Sequence, residues 1–169
     1  MRINIKTHGA KADGKTKNTA VIQAAIDKVA KSGGGTVVVP KGTFITAQIV
    51  LKSKVTLQLE KGAVLKGSPD IKDYHLKNKI VGLLFAKNAK DIVIKGQGTI
   101  HGNYIHFFNF KKTHNSKVHS PDGPVKALPR PGNMLVFAGC RGVTIQDVTL
   151  SDPAYWTCHF GGCRDIKFH

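Results

Sequence analysis

Three segments of the chain repeat one another: Asn88-Ala89-Lys90-Asp91-Ile92-Val93-Ile94, Gly139-Cys140-Arg141-Gly142-Val143-Thr144-Ile145 and Gly162-Cys163-Arg164-Asp165-Ile166-Lys167-Phe168. Each is a small or polar turn followed by a β-branched or apolar strand, and the last two stand 23 residues apart. Self-similarity at a period of about 20–50 residues marks a stacked architecture in which every repeat buries its apolar face against its neighbours. Equivalent positions then form columns, which makes Cys140 and Cys163 stacked inward neighbours. A sandwich also consists of short strands, but nothing in it requires a 23-residue self-similarity.

The rest of the chain fits a coil of strands with one helix at its start. In Asn18–Ala30, Val21, Ile22, Ala25, Ile26 and Val29 recur at helical spacing. Asn18 or Thr19 is the expected cap, and Gly33-Gly34-Gly35 ends the helix, placing it at about 18–31. Beyond it the helical period disappears. Thr36–Val39, Thr43–Leu51, Val55–Leu59 and Ala63–Lys66 read as strands separated by Lys/Gly turns. One helix followed by strands excludes a doubly wound α/β fold. The fold expected is all-β: a right-handed, single-stranded parallel β-helix over residues 1–169 as one domain, with the helix capping its core. Between about 103 and 132 the pattern breaks into a stretch rich in Pro and His, expected to be an excursion loop bordering a binding face.

Composition narrows the function classes. Hydrophobic residues make up 41%, too many for a disordered chain. No apolar run approaches the ~20 residues of a spanning helix, so no membrane partner is expected. Met1–Lys6 carries no apolar signal segment, which leaves localisation open. The net charge of +16 comes from scattered lysines and only four arginines. Such a pattern fits a solvated surface first, an acidic polysaccharide partner second and nucleic acid least, since nucleic-acid readers concentrate Arg on one face. The three cysteines, odd in number and irregularly spaced, match neither a disulfide framework nor a zinc site and read as free.

Several motifs resemble those of a known family. Gly9–Thr16 with Asn18–Ile26, and then Gly33–Phe44, resemble the opening of pectin-active, pectin-lyase-like β-helix enzymes, an opening that phage tailspikes share. Gly96-Gln97-Gly98-Thr99-Ile100-His101-Gly102, Arg130-Pro131 through Phe137, Gly139-Cys140 and Leu150–His159 are similar to family 28 glycoside hydrolases, the polygalacturonases and their relatives. The resemblance implies an inverting glycosidase acting on pectin or a related acidic polysaccharide, without a cofactor, usually secreted or periplasmic. The family's Asn-Thr-Asp, Asp-Asp, Gly-His-Gly and Arg-Ile-Lys motifs do not occur here. In the family they follow the turn corresponding to Trp156 and His159, so the chain is expected to be an N-terminal portion, inactive alone.

The carboxylates present support that expectation. Inversion needs an acid and a base about 6.5–9.5 Å apart, and the chain offers Glu60 and nine Asp. Asp147, Asp152 and Asp165 lie nearest the expected cleft. However, Asp91 and Asp165 occupy matching turn positions and Asp152 precedes Pro153, so all three read as turn residues. No catalytic residue is assigned. His101, His106, His114 and His119 lack ligand spacing on one element, so no metal is expected either.

For substrate contacts, a strand over Tyr155–Phe160 would put Trp156, Cys158 and Phe160 inward and Tyr155, Thr157 and His159 outward. His159 is the first candidate sugar contact and Tyr155 the second. The last coil would be left uncapped, so self-association through that end is expected. The competing reading is a non-catalytic β-helix module, polysaccharide-binding or tailspike-like, that assembles through the same end.

Overall fold

The computed structural model describes residues 1–76, 79–110, 119–120, 123–124 and 126–169. The sequence repeat is also a spatial one. Arg141 pairs with Arg164, Val143 with Ile166 and Ile145 with Phe168 in a parallel ladder, and Ile92 and Ile94 pair with Val143 and Ile145 from the other side. The turns share one backbone device. Lys54, just before its strand, and Asp91, Gly142 and Asp165, each the second residue of its strand, all adopt left-handed φ values of 61°, 55°, 68° and 56°. Left-handed backbone costs most residues about 1–2 kcal/mol, and Gly, Asn and Asp tolerate it best. Asp91 and Asp165 therefore serve as turn residues, as do Asp147 and Asp152, with φ of 60° and 54°.

Three parallel sheets wind along the coil, each with its strands in chain order. A six-stranded sheet runs from Arg2–Asn4 through Gly35–Val39, Val55–Leu59, Lys90–Gly96 and Arg141–Gln146 to Arg164–Phe168. A five-stranded sheet contains Asp13–Lys17, Gly42–Thr46, Ala63–Gly67, Thr99–His101 and Thr149–Ser151. A four-stranded sheet contains Ile49–Val50, Leu84–Lys87, Leu135–Ala138 and Cys158–Gly161. The expected strand Thr43–Leu51 is thus two strands on different sheets, with a corner at Ala47-Gln48.

Between the sheets lies one apolar core in columns. Val37, Leu57, Ile94 and Ile145 form one, and Phe44, Leu65 and Ile100 another, all buried. Each such side chain contributes roughly 1.5–3 kcal/mol by leaving water. Packing is tight enough to dictate Gly96, whose φ is 117° and where any Cβ would overlap the Leu59 carbonyl oxygen.

The helix Thr19–Lys31 covers the first coil through Ile22, Ala25, Ile26 and Val29. Asn18 precedes it, but its side chain does not cap the helix. Buried, it accepts from the Lys11 N–H at 2.7 Å and donates to the carbonyls of Lys11 and Thr16, closing the loop before the helix. Thr19 likewise turns away, its Oγ1 accepting from the Ala47 N–H at 2.8 Å. At the other end Gly33, with φ of 90°, lets the Gly34 N–H donate to the Val29 carbonyl at 3.1 Å.

All three cysteines are free, and Cys140 and Cys163 stack as the repeat predicts. The Cys140 N–H donates to Cys163 Sγ at 3.4 Å, and that sulfur lies 3.3 Å from the Phe137 carbonyl oxygen. Two excursions leave the coil. Ser68–Leu83, which the periodicity does not reveal, carries a 3-10 turn at Ile71–Tyr74 and the antiparallel pair His75–Leu76 and Lys79–Ile80. Asn103–Gly132 carries a 3-10 turn at Tyr104–Phe107 and pairs Phe108–Asn109 with Lys126–Ala127. Tyr74 meets Phe107 edge-on at 6.2 Å, joining the two excursions. His114 and Pro121 lie outside the described residues. Among the described residues, no helix is long and apolar enough to cross a membrane.

Candidate functional site

Alternation along the four-stranded sheet sets what its outer face presents. Leu84, Leu135 and Cys158 pair in register and point inward, as do Ala86, Phe137 and Phe160, with the rings of Phe137 and Phe160 stacked at 5.2 Å. The residues between them, Val50, Phe85, Val136 and His159, therefore form an outward column. His159 is exposed there, as the sequence predicts, and its Nε2 lies beside Gly161. Among the described residues its imidazole forms no hydrogen bond.

The turn feeding this strand corrects one expectation. The strand begins at Cys158, not Tyr155, so strand alternation does not reach Trp156. Trp156 is 64% exposed instead of buried in the core, and Tyr155 is 44% exposed. Their rings stack at 5.8 Å with 13° between planes. The backbone beneath is held firmly: the Met134 and Leu135 N–H groups donate to the Trp156 and Thr157 carbonyls at 2.8 and 2.9 Å.

Arg130 completes the arrangement. Its guanidinium lies 4.5 Å from the Tyr155 ring centroid and 5.3 Å from that of Phe108, while Nη1 donates to the Ala154 carbonyl at 3.1 Å. Cation–π contacts of this kind are worth ~0.5–1 kcal/mol at exposed sites. Phe108 in turn touches Tyr104 and Phe110. Tyr155 and His159 are thus placed on one continuous turn and strand, with Trp156 and His159 within about 11 Å by chain length. Composition and spacing give Arg130 no role; its place between Pro129 and Pro131, in a segment forced into extended backbone, is the one signal the sequence carries. Chemically, flat aromatic faces suit the apolar C–H faces of sugars, and a guanidinium with an exposed imidazole suits carboxylates.

Where the same turn leaves the five-stranded sheet, His101 Nε2 meets Asp152 Oδ2 at 3.1 Å. His101 Nδ1 accepts from the Asn103 N–H at 2.9 Å, so the neutral ring donates from Nε2. Burial, the largest cause, lowers the imidazole pKa below its ordinary 6.5; Asp152 raises it and Lys66 lowers it. Asp165, another of the acids nearest the expected cleft, accepts from Arg141 Nε at 2.9 Å. His101 is tied to an aspartate and His106 lies on the second excursion; among the described residues, no cluster of three or more metal-ligating side chains forms.

Stacked parallel coils with a helical cap define a right-handed, single-stranded parallel β-helix. Residues 2–154 match the family described as rhamnogalacturonase A/epimerase, pectate lyase-like, and the chain belongs to it. It is 43% identical over 198 aligned positions to the exo-poly-alpha-D-galacturonosidase of Dickeya chrysanthemi, covering 90% of this chain and 32% of that protein. The plasmin and fibronectin-binding protein A of Streptococcus pneumoniae is 30% identical over 161 positions, covering 89% of this chain and 21% of that one. Among solved structures, a hyperthermoactive exopolygalacturonase from Thermotoga maritima superposes with a TM-score of 0.78 at 21% identity, over 99% of this chain and 45% of that one. That last likeness concerns the fold. The chain spans about a third of the length of the Dickeya relative.

Proposed function

We propose that the chain is the N-terminal part of a polygalacturonase-like glycoside hydrolase that cleaves glycosidic bonds in pectin or a related acidic polysaccharide with inversion. Its contribution is to hold sugar: His159 and Tyr155 contact the saccharide, with Trp156 offering a stacking face and Arg130 a positive charge. The acid and base are supplied by chain beyond these 169 residues, so the chain alone binds without turnover. The observation that carries this reading is the exposed Tyr155–Trp156 stack with Arg130 against it, beside the outward His159. Large aromatic surface held in the open by a backbone anchored on two hydrogen bonds calls for a ligand with apolar faces.

The similarity to the Dickeya galacturonosidase supports the acidic substrate class, as does the chain's net charge of +16. The test is calorimetric titration of the chain with oligogalacturonates, alongside a reducing-end assay. Saturable binding without bond cleavage is expected. Absence of binding at low salt overturns the reading, and so does turnover that no Asp substitution removes.

A further inference from the structure

The inward column that holds Cys140 and Cys163 brings two free thiols onto adjacent coils. Ala138 pairs with Gly161 and Arg141 with Arg164, the same offset of 23 residues on either side, so Cys140 and Cys163 occupy one rung. Adjacent strands of a sheet lie about 4.7–4.9 Å apart, inside the ~4.4–6.8 Å between Cα atoms that a disulfide spans.

The sulfurs are aimed alike. Each lies 3.6 Å from the carbonyl oxygen two residues before it, Cys140 Sγ at Ala138 and Cys163 Sγ at Gly161, so the side chains take the same direction in successive turns. Cys163 Sγ also reaches across the gap between coils, 3.4 Å from the Cys140 nitrogen and 3.3 Å from the Phe137 carbonyl oxygen. Burial is the largest cause of a raised Cys140 pKa, and the Cys163 thiol adds to it through charge and a side-chain hydrogen bond. Cys158 does not share this rung: it pairs with Leu135, at the start of its strand.

The two thiols differ in access. Cys140 is 1% exposed, whereas every residue from 161 to 169, Cys163 included, is at least partly exposed. An oxidant therefore meets Cys163 first, and Cys140 lies one coil further in.

We propose that Cys140 and Cys163 are a reversible dithiol–disulfide couple, a modification site at which a small disulfide of the glutathione type cross-links two coils. The Cys163 thiolate attacks one sulfur of oxidised glutathione; that S–S bond breaks and one glutathione leaves as its thiolate. The Cys140 thiolate then attacks Cys163 Sγ, forms the Cys140–Cys163 bond and expels the second glutathione. The protein gives up two electrons and two protons, and both end on the two glutathione molecules released. The cross-link fastens the coil that carries His159 to the one before it, whatever that coil binds.

The experiment treats the reduced, folded chain with oxidised glutathione, quenches it in acid, alkylates the remaining thiols and maps the peptides by mass spectrometry. The expected product lacks two hydrogens, links Cys140 to Cys163 and carries the alkyl label on Cys158; dithiothreitol reverses it. Amide hydrogen exchange of Cys158–Gly161 and Arg164–Phe168 should slow by about tenfold on oxidation, and the melting temperature should rise by about 5 °C. In urea, where the fold no longer selects the pair, the shortest loop is favoured and Cys158–Cys163 should predominate.

Cys140→Ser should stop at a glutathione adduct on Cys163, and Cys158→Ser should leave the linkage unchanged. A native chain that links Cys158 instead, or that stops at an adduct on Cys163, overturns the proposal. So do thiols that stay reduced under glutathione that oxidises the unfolded chain, a Cys140–Cys163 linkage no more frequent in the native chain than in urea, and a linkage that leaves amide exchange unslowed.

Discussion

His101 and Asp152, 51 residues apart in sequence, meet on neighbouring coils with Nε2 3.1 Å from Oδ2. Because Nδ1 already accepts the Asn103 N–H, protonating the ring would set two N–H groups against each other. The pair is a hydrogen bond from a neutral imidazole rather than an ion pair.

This fixes a pH dependence. The folded His101 pKa lies below its ordinary 6.5, so the unfolded chain binds the proton more readily. Its contribution to stability is fully present above 6.5 and declines as pH falls through the folded value. Asp152→Asn removes the one nearby carboxylate that raises that pKa, and Asn tolerates the left-handed backbone at this position. A further fall in the His101 pKa is expected by NMR titration; a rise would refute the assignment.

Asp13 gives the acid-side counterpart. Its carboxylate accepts from Thr16 Oγ1 and the Thr16 N–H, both at 2.7 Å, and from the Lys15 N–H at 2.9 Å. The Thr16 hydroxyl is the largest cause of a pKa lowered to about 2. The associated stability is present above the ordinary 3.8 and lost as pH falls through about 2. Thr16→Val should bring the Asp13 pKa back toward the ordinary value in carboxyl-carbon NMR.

Gly96→Ala tests how tightly the coils stack. The new Cβ would strike the Leu59 carbonyl on the preceding coil, at a φ of 117° that L residues rarely adopt. Strain and overpacking together predict a loss of about 3 kcal/mol or more in urea unfolding. Gly9→Ala, with open space around its Cβ but left-handed backbone, should cost only the conformational part, about 1 kcal/mol.

Cys140 tests the inward column. It is 1% exposed, and burial pushes its thiol pKa up. Alkylation at neutral pH should be slow in the native chain and rapid in urea. Cys140→Ala should cost ~1–2 kcal/mol, the transfer of the lost sulfur plus the small cavity left behind.

The coil itself was legible because the repeat survives in residue type. Gly139/Gly162 and Cys140/Cys163 match, and Val143 faces Ile166 in the ladder as their spacing implies. The helix was legible through the spacing of Ile22, Ala25, Ile26 and Val29. Asn18 has the type and place of a cap, yet the loop at Lys11 competes for the same side chain and wins. Trp156 escapes the alternation argument because alternation holds only inside a strand, and the chain is still turning at residue 156. The Arg130–Tyr155 contact comes from an excursion whose path no periodicity encodes. The Ser68–Leu83 excursion leaves no clear mark because its elements are short, one 3-10 turn and one antiparallel pair of two-residue strands.

The central claim, that the turn before Cys158 and the strand it enters grip an acidic saccharide, has a direct probe. Trp156 is the chain's single tryptophan, so its fluorescence reports this site alone. Titration with oligogalacturonate should give a saturable blue shift and quench, with His159→Ala and Tyr155→Ala each weakening binding about tenfold and neutral dextran giving no response. An emission spectrum unchanged by oligogalacturonate, or equally changed by dextran, would contradict the account.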